Sequence, residues 1–187
     1  MSQTNESFQQ RLNKANQRLK NYIIASMGVS LIPMPIVDLF LVTGVQLKML
    51  HSLAKLYNVP FKKDVGKSLI ASLLGGAVPS TSALGVTTAA TTATATASIT
   101  KAIPGIGTVA GVATMSVLAG AATYAIGKVF IQHFESGGTF LDFDPESVRE
   151  YFSDLFKEGK QVVKDIKETA SAGVTGKDTA AAAGAKG

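Results

Sequence analysis

The chain of 187 residues contains no cysteine and no tryptophan. The first absence excludes disulfides, thiol catalysis and cysteine metal sites. Charge is also scarce: 17% of residues are charged, against about a quarter in an ordinary soluble domain. The two histidines, His51 and His133, have no neighbouring ligand at metal spacing. No Ser-His-Asp arrangement and no convergent acid, base or nucleophile can be put together. These absences point away from an enzyme and imply neither a cofactor nor a metal.

What charge there is lies unevenly. The net charge is +5, and the first half holds it: Arg11, Lys14, Arg18 and Lys20 stand against Glu6, and Lys48, Lys55, Lys62, Lys63 and Lys67 against Asp64. From Lys128 onward acids outnumber bases by ten to eight. A basic front half suits nucleic acid or an anionic membrane. The segment has no arginine cluster and no aromatic ladder for reading bases, so the expected partner is membrane lipid and not nucleic acid.

Apolar material fills the rest. Phe8, Leu12, Ala15 and Leu19 share a helical face, and residues 1–20 read as a basic amphipathic helix. The segment 21–134 reads as an apolar helical core. It opens with Asn21–Leu47, which is interrupted only by Pro33, Pro35 and Asp38. Asp38 either caps the helix restarting after Pro35 or makes a polar contact inside the apolar segment with Gln46, Lys48 or His51. Leu47, Leu50, Ala54 and Tyr57 then lie on one face of a helix ended by Asn58 and Pro60.

From Ser80 to Thr100, eleven of 21 residues are Ser or Thr, a weak helix former and a poor membrane span. Ala102–Gly127 is uncharged over 26 residues, more than the roughly 20 needed to cross a bilayer. Its small residues Gly107, Gly111, Gly120 and Gly127 would let another helix approach closely, in lipid or in a soluble core. A hairpin over 68–127, turning near Lys101–Gly107, is the expected arrangement.

Residues 135–169 read as a loop and an amphipathic helix. Asp144 and Pro145 give a helix start, and Gly137-Gly138 end the helix before it. Val148, Tyr151, Phe152, Leu155, Phe156, Val162, Val163 and Ile166 form one apolar stripe, expected to take a partner. Residues 170–187 read as a disordered tail.

Gly66-Lys67-Ser68 copies the end of a phosphate-binding loop, but Phe61 stands where that loop needs its first glycine, and no strand precedes it. Asn13-Lys14-Ala15-Asn16 lacks the aspartate of a guanine-reading motif. Nucleotide binding by this chain is not expected.

Several motifs resemble one known family. They are Pro-x-Pro-x-x-Asp at 33–38, the helix from Gln46, Leu47 and Met49 to Tyr57, Pro-Gly-x-Gly at 104–107, and Thr-Tyr-Ala-x-Gly at 123–127. In this order they are similar to the bacterial "domain of unknown function 697" family, which includes YcjF-like inner-membrane proteins. The likeness runs from about Asn21 to Phe156, and the Thr/Ala tract at 86–100 departs from the more charged run usual there. The resemblance implies an all-helical, membrane-associated module without an established activity. Some members carry it behind a GTPase domain or beside a GTP-binding protein, so a GTPase acting in trans is the implied partner.

The expectation is therefore an all-α protein with a Gly/Ala-rich helical hairpin, amphipathic flanks and both termini on the cytoplasmic side of the inner membrane. Its role would be to recruit or regulate a partner without catalysis, and an oligomer is left open. A soluble helical interaction domain in the cytoplasm, or an amphitropic hairpin that remodels or perforates lipid, fits the same residues.

Overall fold

The computed structural model of the chain describes residues 2–30, 37–77 and 109–183. It is all-α, with no strand among the described residues: α1 Ser2–Val29, α2 Val37–Tyr57, α3 Lys63–Ala77, α4 Val109–Glu135 and α5 Arg149–Ala183. Pro33, Pro35, the Ser/Thr tract at 80–100, Gly107 and the expected turn at 101–107 lie outside the described residues.

The helices start and stop where local chemistry demands. Asn58 adopts φ 56° after α2, and Val59 N–H donates back to Ala54 O at 2.8 Å, closing the last turn. Gly137 does the same after α4 at φ 85°, with Gly138 N–H donating to His133 O at 3.0 Å. Asp144 Oδ1 accepts from Glu146 N–H at 3.0 Å, and one irregular turn follows before α5 begins at Arg149.

Helix α4 is the axis of the bundle. Every residue from Gly120 to Gly127 is buried, and α1, α2 and α5 pack around it. A helix that is apolar all round must be covered on all sides, by lipid or by protein. Here the cover is this chain: 67% of the most apolar stretch of Met115–Glu135 is buried within the protein. Small residues make the cover fit. A methyl group at Gly127 would overlap Leu19 Cδ1 of α1, and one at Gly120 would lie 2.7 Å from Val163 Cγ2 of α5. Gly159 of α5 in turn sits on the backbone of Ala121, where an added Cβ would be 3.0 Å from Ala121 Cα.

The rest of the core follows the apolar spacing. Leu19, Ile23 and Met27 of α1 join Met49, Leu50 and Leu53 of α2, and Ile70 and Leu73 of α3. The loop after α4 folds back and inserts Phe140 and Phe143 against Phe130 and Phe134.

Two segment boundaries differ from the sequence reading. The division at residue 20 falls inside α1, which runs unbroken through the start of the apolar segment. The tail expected to be disordered from residue 170 continues α5 as helix to Ala183, because alanine, which fills positions 180–183, is the strongest helix former. Helix α4 packs chiefly on α5 and α1 and touches α3 less, and the turn of the expected 68–127 hairpin lies outside the described residues.

Candidate functional site

The up-and-down course of the helices sorts the charge. Leu19 meets Gly127 and Arg11 meets Glu135, so α1 and α4 are antiparallel; Gln46 meets Thr123 and Tyr57 meets Glu135, so α2 and α4 are parallel. Leu47 against Gly66 makes α3 antiparallel to α2, and Gly159 against Ala121 makes α5 antiparallel to α4. One end of the bundle therefore collects the C-terminal ends of α1 and α3 with the N-terminal ends of α2 and α4. Within residues 21–47 the only charge is Asp38, and within 68–127 the only charge is Lys101. The first four helices thus share one end poor in charge, where Ile24 and Leu41 are large apolar side chains open to solvent, while α5, passing Gly120 at Val163, brings Lys164, Asp165, Lys167 and Glu168 along its flank.

The opposite pole is polar and tightly bonded. Glu135, at the end of α4, accepts from Arg11 Nη2 at 3.1 Å and from Tyr57 OH at 2.6 Å, tying α1 and α2 to the helix they flank. The guanidinium lies over the Tyr57 ring, 5.5 Å from its centroid. Burial, then the bond to Glu135, pushes the Tyr57 phenol well above the usual tyrosine range, so it remains a donor. Nearby, His133 Nε2 lies 2.8 Å from Thr139 O, and Thr139 holds the exposed Asp142 carboxylate below the usual aspartate range through side-chain and backbone donors. These bonds fix the pole. None of them places a nucleophile beside a base.

One polar pair is buried at mid-height. Gln46 is fully buried, and its Nε2 donates to Thr123 Oγ1 at 3.5 Å, while its Oε1 has no partner among the described residues. Thr123 is satisfied without it, since its hydroxyl donates to Ala119 O at 2.9 Å. An orphaned buried acceptor carries a desolvation cost that a weak bond does not offset. Gln46→Met should therefore raise stability by about 1 kcal/mol, read in a thermal melt as a Tm increase of ~2–4 °C. A lower Tm would mean that Oε1 has a partner worth keeping.

The residues singled out from sequence fall as follows. Asp38 lies in the first turn of α2, and its side chain is outside the described residues. Gln46 turns to Thr123, which sequence reading had not weighed, and Lys48 is exposed. Gly111 is on α4, while Gly120 and Gly127 touch α5 and α1 as described. The stripe expected to take a partner is used inside the protein instead. Phe152, Leu155 and Val163 are buried in the core, and Val148, Phe156, Val162 and Ile166 pack against it. Only Tyr151 of that set is exposed, because α5 has to cover the apolar face of α4. Arg11 and Glu135, 124 positions apart, carried no local signal of their pairing.

The remaining chemical candidates close quickly. Gly66-Lys67-Ser68 is inside α3, where Gly66 N–H already donates to Lys62 O and the glycine receives Phe61 and Leu47. Its amides are therefore not presented to a phosphate. Among the described residues no three His, Cys, Asp or Glu side chains gather as a metal site. His51 is exposed and stacks on Phe61. A cleft lined by Pro60, Lys62, Val65, Thr139, Phe140 and Leu141 holds about 90 Å³, well under the ~300 Å³ of small-molecule pockets.

The apolar end of α1–α4 is thus the most distinctive surface among the described residues. Among curated proteins, the chain is 36% identical over 153 residues to Magnetosome membrane protein 22 of Magnetospirillum gryphiswaldense, covering 82% of this chain and 74% of that protein. No solved structure matches the chain. The family model described as "Domain of unknown function (DUF697)" matches residues 2–161. The chain belongs to that family.

Proposed function

We propose that the protein is a membrane-associated, non-enzymatic helical module that holds a partner at the membrane surface. The observation that carries this reading is the end of α1–α4 that is poor in charge, with Ile24 and Leu41 exposed on it. Exposed apolar side chains on an uncharged surface belong against lipid or protein. The magnetosome membrane protein to which the chain is similar supports lipid. Contact is made by the end of the bundle, since α4 already has its flanks covered by α1, α2 and α5.

Basic residues crowd the other side of this boundary, which by the usual bias of lysine and arginine puts the polar pole in the cytoplasm, at the inner membrane. Helix α5 passes Gly120 at Val163 and carries Lys164, Asp165, Lys167 and Glu168 along the flank of that end, a charged flank that faces water, and with α1 starting at the polar pole both termini are proposed to be cytoplasmic. The partner is a protein on the polar pole, where Tyr151 and Leu141 are exposed, and a GTPase in trans is the class the family resemblance implies.

Cell fractionation tests the membrane reading. Native protein should sediment with membranes, and carbonate washing then separates an inserted end from a peripheral one. Recovery in the untreated supernatant would favour the second reading, a water-soluble interaction bundle, for which the burial of α4 by its own chain is the supporting observation. A detergent-solubilised complex without any GTP-binding protein would remove the GTPase and leave the membrane role intact.

A further inference from the structure

The two sides of the bundle carry charge in different ways. Helix α5 mixes signs, as a solvated face does: residues 149–169 hold five acids and five lysines or arginines. Lys157 Nζ lies 2.9 Å from Asp154 Oδ1, and Gln161 Nε2 donates to Asp165 at 3.0 Å. Helices α1 and α2 do not mix. Residues 7–63 hold eight lysines and arginines against a single acid, Asp38, in the first turn of α2. Glu135, which α4 brings to this side, is already engaged by Arg11 and Tyr57.

Burial and spacing put part of this excess on one surface. On α2, Leu41, Lys48, Ser52 and Lys55 recur at helical spacing, turned away from the buried Gln46, Leu50 and Leu53. On α1, Lys14, Arg18, Asn21 and Ala25 do the same, clear of the buried Ala15, Leu19 and Ile23. The two stripes join where Arg18 Nη1 donates to Ser52 O at 2.6 Å and to Ser52 Oγ at 3.0 Å. Since α1 and α2 are antiparallel, Lys14 and Lys55 lie ~4–6 Å from that joint towards the polar pole, and Lys48 ~6 Å from it on the other side, at the helical rise of ~1.5 Å per residue. Lys14, Lys48 and Lys55 are exposed and Arg18 is half-buried. Among the described residues none of the four is in an ion pair with a carboxylate. The exposed Leu41 continues the strip towards the apolar end.

We propose that the α1–α2 side of the bundle, through Lys14, Arg18, Lys48 and Lys55, lies against an anionic lipid surface, so that the molecule leans on that side with α5 turned to water. The inference rests on the membrane reading and adds to it a lipid class and an orientation. Charge complementarity selects the side: cations without acids between them are drawn to the phosphates of an anionic leaflet, while the balanced charges of α5 gain nothing there. Leaning also brings Leu41 to the lipid together with the cations, whose stems can lie along apolar surface. Nucleic acid is the poorer occupant, because no residue of the strip is aromatic and none offers a stacking platform.

The test is flotation of the full-length protein with vesicles of phosphatidylcholine, alone or mixed with phosphatidylglycerol. Binding should favour the anionic vesicles and weaken with salt. The triple substitution Lys14→Gln, Lys48→Gln, Lys55→Gln should weaken anionic binding by about 100-fold, at roughly fivefold per lysine near a charged surface. Lys157→Gln, Lys164→Gln, Lys167→Gln removes the same charge from α5 and should cost far less. Thermal melts of both triple variants should stay close to the parent, since the substituted side chains lie at the surface. Orientation is read with a nitrobenzoxadiazole label on a single introduced cysteine, the chain having none of its own. Met27 and Val163 both meet Gly120, so the exposed Ala25 and Gln161, each two residues earlier on the parallel α1 and α5, stand at one height. On anionic vesicles the label at Ala25→Cys should shift its emission to the blue, and the label at Gln161→Cys should not.

Equal losses from the two triples would reduce the effect to net charge and overturn the proposal. Equal responses from the two labels on floating protein would mean contact by the end alone, overturning the lean while upholding the membrane reading. Parent protein that floats equally with both vesicle types would overturn the lipid class and uphold the membrane reading in the same way. No flotation with either would overturn both, and so would capture by a DNA duplex in place of vesicles.

Discussion

Phe130→Ala should cost about 3–5 kcal/mol of folding stability, the range for deleting a large buried ring. Phe130 is fully buried at the point where α4 meets the loop that leads to α5. Its ring stacks on Phe143 with centroids 4.6 Å apart, and Phe140 and Phe134 lie at 5.4 and 5.6 Å. The substitution therefore removes the apolar area of one ring and also the hub on which three others are arranged. In a protein holding about 5–15 kcal/mol in total, this is a large part of the margin. Urea denaturation should show the midpoint falling with little change in slope. Proteolysis should then start in the loop around the exposed Leu141, whose apolar anchors in the core are its neighbours Phe140 and Phe143. Phe130→Leu keeps an apolar filling and should lose much less. A loss below about 1 kcal/mol for the alanine variant would show that this aromatic cluster is not the anchor of the loop.

The pattern of apolar residues was enough to read helices throughout, because spacing at three and four positions is a local property. Caps were legible for the same reason: Asn58 and Gly137 take left-handed backbone that most residues avoid, and both end helices where their sequence suggests. The destination of an apolar face is not local. The stripe from Val148 to Ile166 looks the same whether its partner is another protein or α4, and only the fold assigns it to α4. The small residues of Ala102–Gly127 carry the same ambiguity, since lipid and a Gly/Ala-lined core ask for the same side chains.

The candidate functional surface was legible in pieces and not as a whole. Runs without charge at 21–47 and 68–127, and lysines at their margins, are visible in the sequence. That those margins share one level depends on contacts such as Leu19 with Gly127 and Leu47 with Gly66, between residues from 19 to 108 positions apart. The Arg11–Glu135–Tyr57 cluster is harder still, because each member reads as an ordinary surface residue until the three helix ends meet.

Gly159→Leu should destabilise the protein by about 3 kcal/mol, near the upper end for overpacking a close helix contact. An added Cβ at Gly159 would already stand 3.0 Å from the Cα and the carbonyl oxygen of Ala121, so its neighbour is backbone and cannot rotate away. The larger side chain must push α5 off α4, and Phe152, Leu155 and Val163 move with it out of the core. Gly159→Ala asks for only a few tenths of an ångström, and the ~1 kcal/mol gained in helix propensity offsets that shift, so it should be near neutral. Gly127→Ala has a different obstacle, the tip of the Leu19 side chain, which can change rotamer at modest cost. The order of stability is then Gly159→Ala above Gly127→Ala, with Gly159→Leu far below both. This series decides what the small-residue seam of α4 is for. If Gly159→Leu melts like the parent but loses a membrane partner or changes oligomeric state, the seam serves another chain and α5 lies elsewhere in the native membrane. If it lowers the midpoint as expected, the seam is the internal joint of the bundle, and lipid is left with the apolar end of α1–α4.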